Sequence, residues 1–207
     1  MRPAAGSEGD EGLVGLLPDE PLPIRLMNTI WADRHGVHDA LEGPAHLARW
    51  LAGTGVAAHE VQVGEADLER VRELRDALRR LAALVTSDDR PPAASAVRDP
   101  SRAVRAVNAA AERGLVAPRL QVHEGVLRRD SEPGGSPVAA ALSLLAVESI
   151  DLLTGAAAGS LRACHAPGCV LYFVKDHPRR EWCSTACGNR ARAARHYRRH
   201  RVGRTGE

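Results

Sequence analysis

Cysteine is absent from the first 163 residues of this 207-residue chain, and lysine occurs once, as Lys175. With every thiol in the last quarter, a disulfide framework spread through the fold is excluded. The single lysine, in a chain rich in Ala, Gly, Pro and Arg, points to a GC-rich coding bias, so arginine carries meaning through its placement more than its abundance. No apolar signal region opens the chain. MRPAAGSEGDEG is polar and acidic and reads as a disordered lead-in over residues 1–20. The most apolar run, Val138 to Leu153, reads as too short to span a bilayer and carries Glu148 and Asp151. A cytoplasmic protein with no membrane partner is expected, and a reducing compartment favours metal over disulfide for its cysteines. Internal repeats, a nucleophile–base pair, a phosphate-binding glycine loop and a paired-carboxylate motif are all missing, which argues against an enzyme. Acid is missing locally as well: Arg190 to Arg204 holds seven arginines and no Asp or Glu.

What is present is concentrated at that same end. Cys164 and Cys169 are separated by four residues, Cys183 and Cys187 by three, and thirteen residues lie between the pairs. Two close thiol pairs bracketing a short segment have the spacing of a tetrahedral Zn²⁺ site, and four thiolates make a closed, structural site for one ion. His165 and His177 are alternative ligands. Residues 160–207 carry a formal balance of +8 against −6 for the rest, the footprint of a nucleic-acid-binding module on an ordinary soluble domain.

Along the chain, Leu22 to Trp31 is a short apolar stretch, strand or helix start, leading into a polar loop, WADRHGVHD. Gly43-Pro44 opens a helix that Gly53 and Gly55 end. Over 65–86 the apolar residues Leu68, Val71, Leu74, Leu78, Leu81 and Val85 recur at three and four, predicting a helix with one buried face. A weaker helix covers 101–113, a β-hairpin turns at Glu124-Gly125, and Pro137 starts a helix to about Leu153. The expected fold is mainly α with a small hairpin: a helical domain over 21–159, able to fold without any cysteine, joined by Gly155 to Ser160 to a metal module over 160–207.

Within the module, Pro167-Gly168 bends a knuckle between the first two thiols, Val170 to Val174 reads as a strand, and Arg180 to Trp182 as its return. Ser184 is placed to cap a helix whose first turn carries Cys183 and Cys187. Knuckle, hairpin and helix in that order predict a treble-clef-like finger. On the helix, Ala186, Ala193 and Tyr197 share a face with Arg190 and are expected to pack. Arg192, Arg195 and Arg199, with Arg198 and His196 flanking, form a stripe suited to successive phosphates of double-stranded DNA. Arg190 is expected to brace the fold near the metal.

Trp182-Cys-Ser-Thr-Ala-Cys-Gly-Asn-Arg190, followed by ARAARHYRRH, resembles the bacterial CGNR zinc-finger family, named for the tetrapeptide that stands here as Cys187-Gly188-Asn189-Arg190. The upstream Cys164/Cys169 pair matches too. In that family the finger follows a domain called ABATE, associated with stress-induced transcription regulation. Leu26-Met-Asn-Thr29 resembles the motif opening that domain, and residues 140–153 its closing helix. The resemblance implies a zinc-containing, DNA-binding regulator whose N-terminal domain senses a small molecule, with Asn189 and Arg190 as structural parts of the motif. Asn28, Thr29, Arg34 and His35 cluster where polar groups could converge on such an effector; equally, Asn28 and Thr29 cap a helix. Dimerisation is the other role open to the N-terminal part. Two further functions remain open: the finger docks a protein or RNA, or an enzyme site lies in the N-terminal domain.

Overall fold

The computed structural model describes residues 17–57, 61–114, 117–132 and 135–202. The lead-in expected over 1–20 falls outside them up to residue 16. Its end is structured: the Glu20 N–H closes a turn on the Leu17 carbonyl at 3.2 Å, and the Glu20 side chain is buried.

Helix α1 (Leu22–Met27) carries Pro23 in its first turn and ends at Asn28. Strands β1 (Ile30–Asp33) and β2 (Gly36–Asp39) then pair antiparallel, Ile30 opposite Asp39 and Asp33 opposite Gly36. This hairpin occupies the segment that reads as a polar loop. Its turn is held by the Asp33 carboxylate, which accepts the His35 N–H at 2.7 Å and meets His38 Nε2 at 2.8 Å. Helix α2 (Pro44–Thr54) stops at Gly55, whose φ of +73° is left-handed.

Helix α3 (Glu65–Thr86) forms over the predicted span, and the Asp67 carboxylate accepts the Gly64 N–H at 3.1 Å. Leu68, Val71, Leu74, Leu78 and Leu81 are buried as the periodicity requires. Val85, expected on the same face, is 49% exposed and lines an open apolar cleft with Val104, Ile150 and Leu153. Helix α4 (Pro100–Arg113) is capped by Asp99, which accepts the N–H groups of Ser101 and Arg102. Strands β3 (Ala117–His123) and β4 (Val126–Glu132) meet at Glu124-Gly125, both left-handed with φ of +52° and +78°, the pairing that a two-residue hairpin turn requires. Leu120, Val122 and Leu127 on this hairpin stay exposed.

Helix α5 (Pro137–Thr154) starts at a Ser136 cap. At 18 residues it is long and apolar enough to cross a membrane by length and composition, which corrects the reading of this run as too short. Its buried face, including Val138, Leu142, Leu145 and Leu152, packs into the helical core. Strands β5 (Leu161–Ala163) and β6 (Tyr172–Val174) pair antiparallel, and α6 (Thr185–Val202) completes the described chain.

Helices α3, α4 and α5 pack against one another, and α1 lies against α3, α5 and β6. The buried cluster that these helices build also contains Leu161, Ala163 and Tyr172. Packing therefore runs across residue 160 without a break. Polar groups reinforce the same seam. Asn28, 1% exposed, acts like a strand edge toward Tyr172: its Nδ2 donates to the Tyr172 carbonyl at 2.9 Å and its Oδ1 accepts the Tyr172 N–H at 3.0 Å. Glu20 Oε2 accepts the Val174 N–H at 2.9 Å.

From α3, three arginines on one stripe reach other elements. Arg72 donates to the Leu41 carbonyl, Arg75 pairs with Asp39 at 2.6 Å, and Arg79 is buried. The Arg79 guanidinium donates to the carbonyls of Met27 at 3.0 Å, Ala93 at 3.2 Å and Val170 at 3.2 Å, and lies 5.3 Å from the Tyr172 ring centre. Burial pulls its pKa below the ordinary arginine value. Removing it strands three buried acceptors, so Arg79→Ala is expected to cost about 3 kcal/mol or more. Its neighbour Arg80 makes a surface bond to the Arg98 carbonyl, and Arg80→Ala is expected to cost about 1 kcal/mol or less. Urea unfolding of the pair checks this; equal midpoints for both variants would refute the bridging role of Arg79.

Candidate metal centre and nucleic-acid interface

The four cysteines converge. Cys164, Cys169, Cys183 and Cys187 are all buried, and their sulfurs lie within 4.8 Å of one another. Cys169 and Cys183 are 3.8 Å apart, Cys183 and Cys187 3.4 Å. Four ligands at about 2.3 Å from a tetrahedral zinc stand about 3.8 Å apart, so the donor set fits one Zn²⁺ by number, type and spacing. The electrostatics point the same way, because four thiols in contact cannot all ionise unaided. Hydrogen bonds from Cys164, then Cys169 and Cys183, pull Cys187 far below the ordinary thiol range, and a bond from Cys169 helps bring Cys164 down to about 7. Cys169 and Cys183 are pushed up, each first by its contact with Cys164. A dication that holds all four as thiolates removes this conflict. The closed set of four leaves no ligand position for substrate, so the metal is structural.

The knuckle residues 164–169 sit at the tip of the β5–β6 hairpin, where the Cys164 N–H donates to the Leu171 carbonyl at 2.9 Å. The strand expected from Val170 forms at Tyr172–Val174, but its partner is β5, upstream of the knuckle. Arg180 to Trp182 is not a strand. Arg180 instead pins this return segment with its guanidinium: to Glu20 at 2.6 Å, to the Val174 carbonyl at 3.0 Å and to the Cys183 carbonyl at 3.2 Å. The second thiol pair comes from the start of α6, where Ser184 Oγ accepts the Cys187 N–H at 3.2 Å as a cap.

Each member of Cys187-Gly188-Asn189-Arg190 has a physical task. Cys187 supplies a sulfur. Gly188 is buried under the Trp182 ring, and a methyl there would stand 3.2 Å from Trp182 Cδ1, tighter than an ordinary contact. Asn189 Oδ1 accepts from Arg192. Arg190 Nη2 lies 3.0 Å from Cys187 Sγ and donates to it, favouring the thiolate.

The packing face expected for α6 is corrected. Ala186 and Ala193 are exposed and Tyr197 is 70% exposed, while Cys187, Gly188 and Ala191 are buried and Ala194 half-buried. The zinc ligand fixes the helix rotation, so Ala191 and Ala194, four and seven residues beyond Cys187, turn inward. Arg190 is exposed and reaches its sulfur from the solvent side. Arg192, Arg195, Arg198 and Arg199 are all exposed. Arg198 leans on the Ala194 carbonyl at 3.4 Å; Arg195 and Arg199 have no hydrogen-bond or ion-pair partner among the described residues.

The residues considered for a ligand are not brought together. Asn28 is spent on Tyr172, and Thr29 Oγ1 donates to the Leu26 carbonyl at 2.8 Å. Arg34 and His35 line an open cleft of about 580 Å³ whose other wall is Pro167, Gly168 and Arg190. What the sequence did not expose is the bracing of the knuckle from behind. Arg90 donates to the carbonyls of both Cys164 and Cys169, and is held by Asp88 at 2.6 Å. Burial alone would raise Asp88, but its bonds from Arg90 and from the Tyr172 hydroxyl, at 2.8 Å, hold it below the usual carboxylate range. The sequence signals this bracing only by an acid and an arginine two apart, just past the end of α3.

Four buried thiols joining a knuckle to a basic helix define a zinc finger. Residues 160–200 match the family model of the CGNR zinc finger, and residues 20–156 match ABATE, described as “Putative stress-induced transcription regulator”. The chain belongs to the ABATE family and ends in a CGNR zinc finger that holds one structural zinc ion. Both families are of regulator and zinc-finger type, and neither is enzymatic. No curated protein matches the chain.

Proposed function

We propose that this is a cytoplasmic, DNA-binding transcription regulator. The finger, over 160–207 and treble-clef-like in its knuckle, hairpin and helix, presents α6 to duplex DNA. The part over 21–159 senses a small ligand or dimerises. One observation carries the reading: a zinc-pinned helix leaves Arg192, Arg195, Arg198 and Arg199 in solvent with no carboxylate partner among the described residues, on a stretch without acid. Such a row can neutralise successive phosphates and release their counterions. A second reading, RNA in place of duplex DNA, is favoured by Tyr197, whose exposed ring among the arginines can stack on an unpaired base.

Fluorescence anisotropy of labelled duplex and single strand with the zinc-loaded chain separates the two. Duplex affinity is expected to fall steeply with salt, and each phosphate-contacting arginine replaced by alanine should reduce the salt slope by roughly one. The triple variant Arg192→Ala/Arg195→Ala/Arg199→Ala should lose most affinity while keeping its zinc. Arg190→Ala should do the reverse, releasing zinc faster to a chelator with little change in salt slope. If the triple variant binds duplex like the parent across salt, α6 is not the DNA-binding element.

A further inference from the structure

We propose that the cleft between α3 and α4 binds an organic anion with an apolar body, a carboxylate or phosphate ester carried on a ring or short chain. This deepens the sensing role proposed above for the helical part, and places it away from the zinc and from Asn28, Thr29 and Arg34. The cleft encloses about 350 Å³, inside the range of roughly 300–1,000 Å³ typical of small-molecule sites.

Its rim is cationic. Arg102, Arg105 and Arg113 project from α4 into the same cleft, and α3 adds Arg70 against a single acid, Glu73. Arg70 is paired with Asp67 at 3.1 Å. Arg102, Arg105 and Arg113 have no side-chain partner among the described residues. Three buried or half-buried arginines show the contrast: Arg75 pairs with Asp39, Arg90 with Asp88 and Arg180 with Glu20. Like charges three apart on a helix repel, and cations in a first helical turn oppose the helix dipole, so Arg102 and Arg105 stand at a local cost that a bound anion removes.

The floor decides what kind of anion. Its accessible surface is Ala106 and Ala109, whose small side chains keep the space open, backed by the buried Leu74, Leu142 and Ala110. A hydrated inorganic ion would leave this apolar surface wet, whereas a ring or short chain covers it and gains about 25 cal/mol for each Å². Guanidinium groups above an apolar floor thus match a ligand that is charged at one end only.

Calorimetric titration of the zinc-loaded full chain with 1-naphthoate, neutral 1-naphthamide and inorganic phosphate tests the proposal, with no DNA in any arm. One naphthoate per chain is expected, bound at least tenfold tighter than either other probe. Arg102→Ala/Arg105→Ala/Arg113→Ala should abolish the preference over naphthamide, and Arg105→Gln alone should weaken it in part, with melting curves of both variants matching the parent's. Arg192→Ala should leave it intact. Equal affinity for naphthoate and naphthamide, phosphate binding as tight as naphthoate, no binding at all, or naphthoate binding unchanged in the triple variant would each overturn the assignment. Since α6 is untouched in the decisive variants, loss of this site leaves the DNA reading standing, and failure of DNA binding leaves this site standing.

Discussion

Stripping zinc from the chain, or replacing Cys183 by serine, should unfold the finger and abolish tight nucleic-acid binding while the helical core stays folded. The finger's own buried cluster is small: Cys164, Ala166, Cys169, Leu171, Phe173, Cys183 and Cys187, four of them metal ligands. Without the ion, four thiols of conflicting ionisation face one another, and nothing else joins the knuckle to the first turn of α6 with comparable strength. Structural zinc contributes apparent binding free energies of about 10–16 kcal/mol in isolated finger peptides, far more than so few apolar side chains supply. Helix α6 makes few packing contacts beyond Ala194, so its arginines should lose their rigid presentation once its first turn is released. The core behind it keeps β6 through Asn28, bonded to Tyr172, and the approach to it through Arg79, bonded to Val170, neither of which depends on the metal. Metal analysis should give one zinc per chain, and circular dichroism with a chelator should show partial loss of helix with a cooperative transition remaining. An apo protein that melts like the holo protein and binds duplex equally well would contradict this.

The helices were legible because their signals are local. The three-and-four spacing over 65–86, the Pro at the start of α5 and the left-handed Glu124-Gly125 turn each state their structure within a few residues. The metal centre was legible for the same reason, since two thiol pairs at short spacing carry the ligand pattern of a zinc site. What the sequence hid are strands too short to show a pattern, a helix face set by a metal ligand, and long-range polar contacts. The strands of the β1–β2 hairpin are four residues each, half-buried at one end and exposed at the turn, with no alternation, and β6 finds β5 instead of the segment after it. Helix α6 leaves its apolar residues Ala193 and Tyr197 in solvent because a zinc ligand, not they, sets its rotation. Asn28, Arg79 and Arg90 look like a cap, a solvated charge and a loop residue. Their partners include backbone groups 144, 91 and 74 positions away, which no side-chain pattern announces.

The same long-range pairing makes the chain ending at Gly159 the severest variant. Such a chain keeps every helix of the core, yet it is expected to melt without a cooperative transition or to aggregate. Leu161, Tyr172 and Ala163, all buried in the helical cluster, would be gone, and Val170, 1% exposed in the full chain, with them. Burying a Leu or Val is worth about 1.5–3 kcal/mol, and an aromatic ring covers about 150–250 Å², so the uncovered face represents several kcal/mol against a total stability of about 5–15. The loss falls on the weakest element. Helix α1 has six residues, too few to persist alone, and both its ends are tied to β6: Glu20 to the Val174 N–H, Asn28 to Tyr172. Freed, it exposes Ile24, Leu26 and Met27. Water can hydrate Glu20, Asn28 and Asp88 once the finger is absent, so the apolar face and not the orphaned hydrogen bonds decides the outcome. A chain ending at His177 separates the causes, because it restores β5 and β6 while still lacking two of the four thiols. Differential scanning calorimetry should find a cooperative transition in that longer chain and none in the one ending at Gly159. A sharp transition near the full-length temperature in the shorter chain would show that the helices need no cover from the finger.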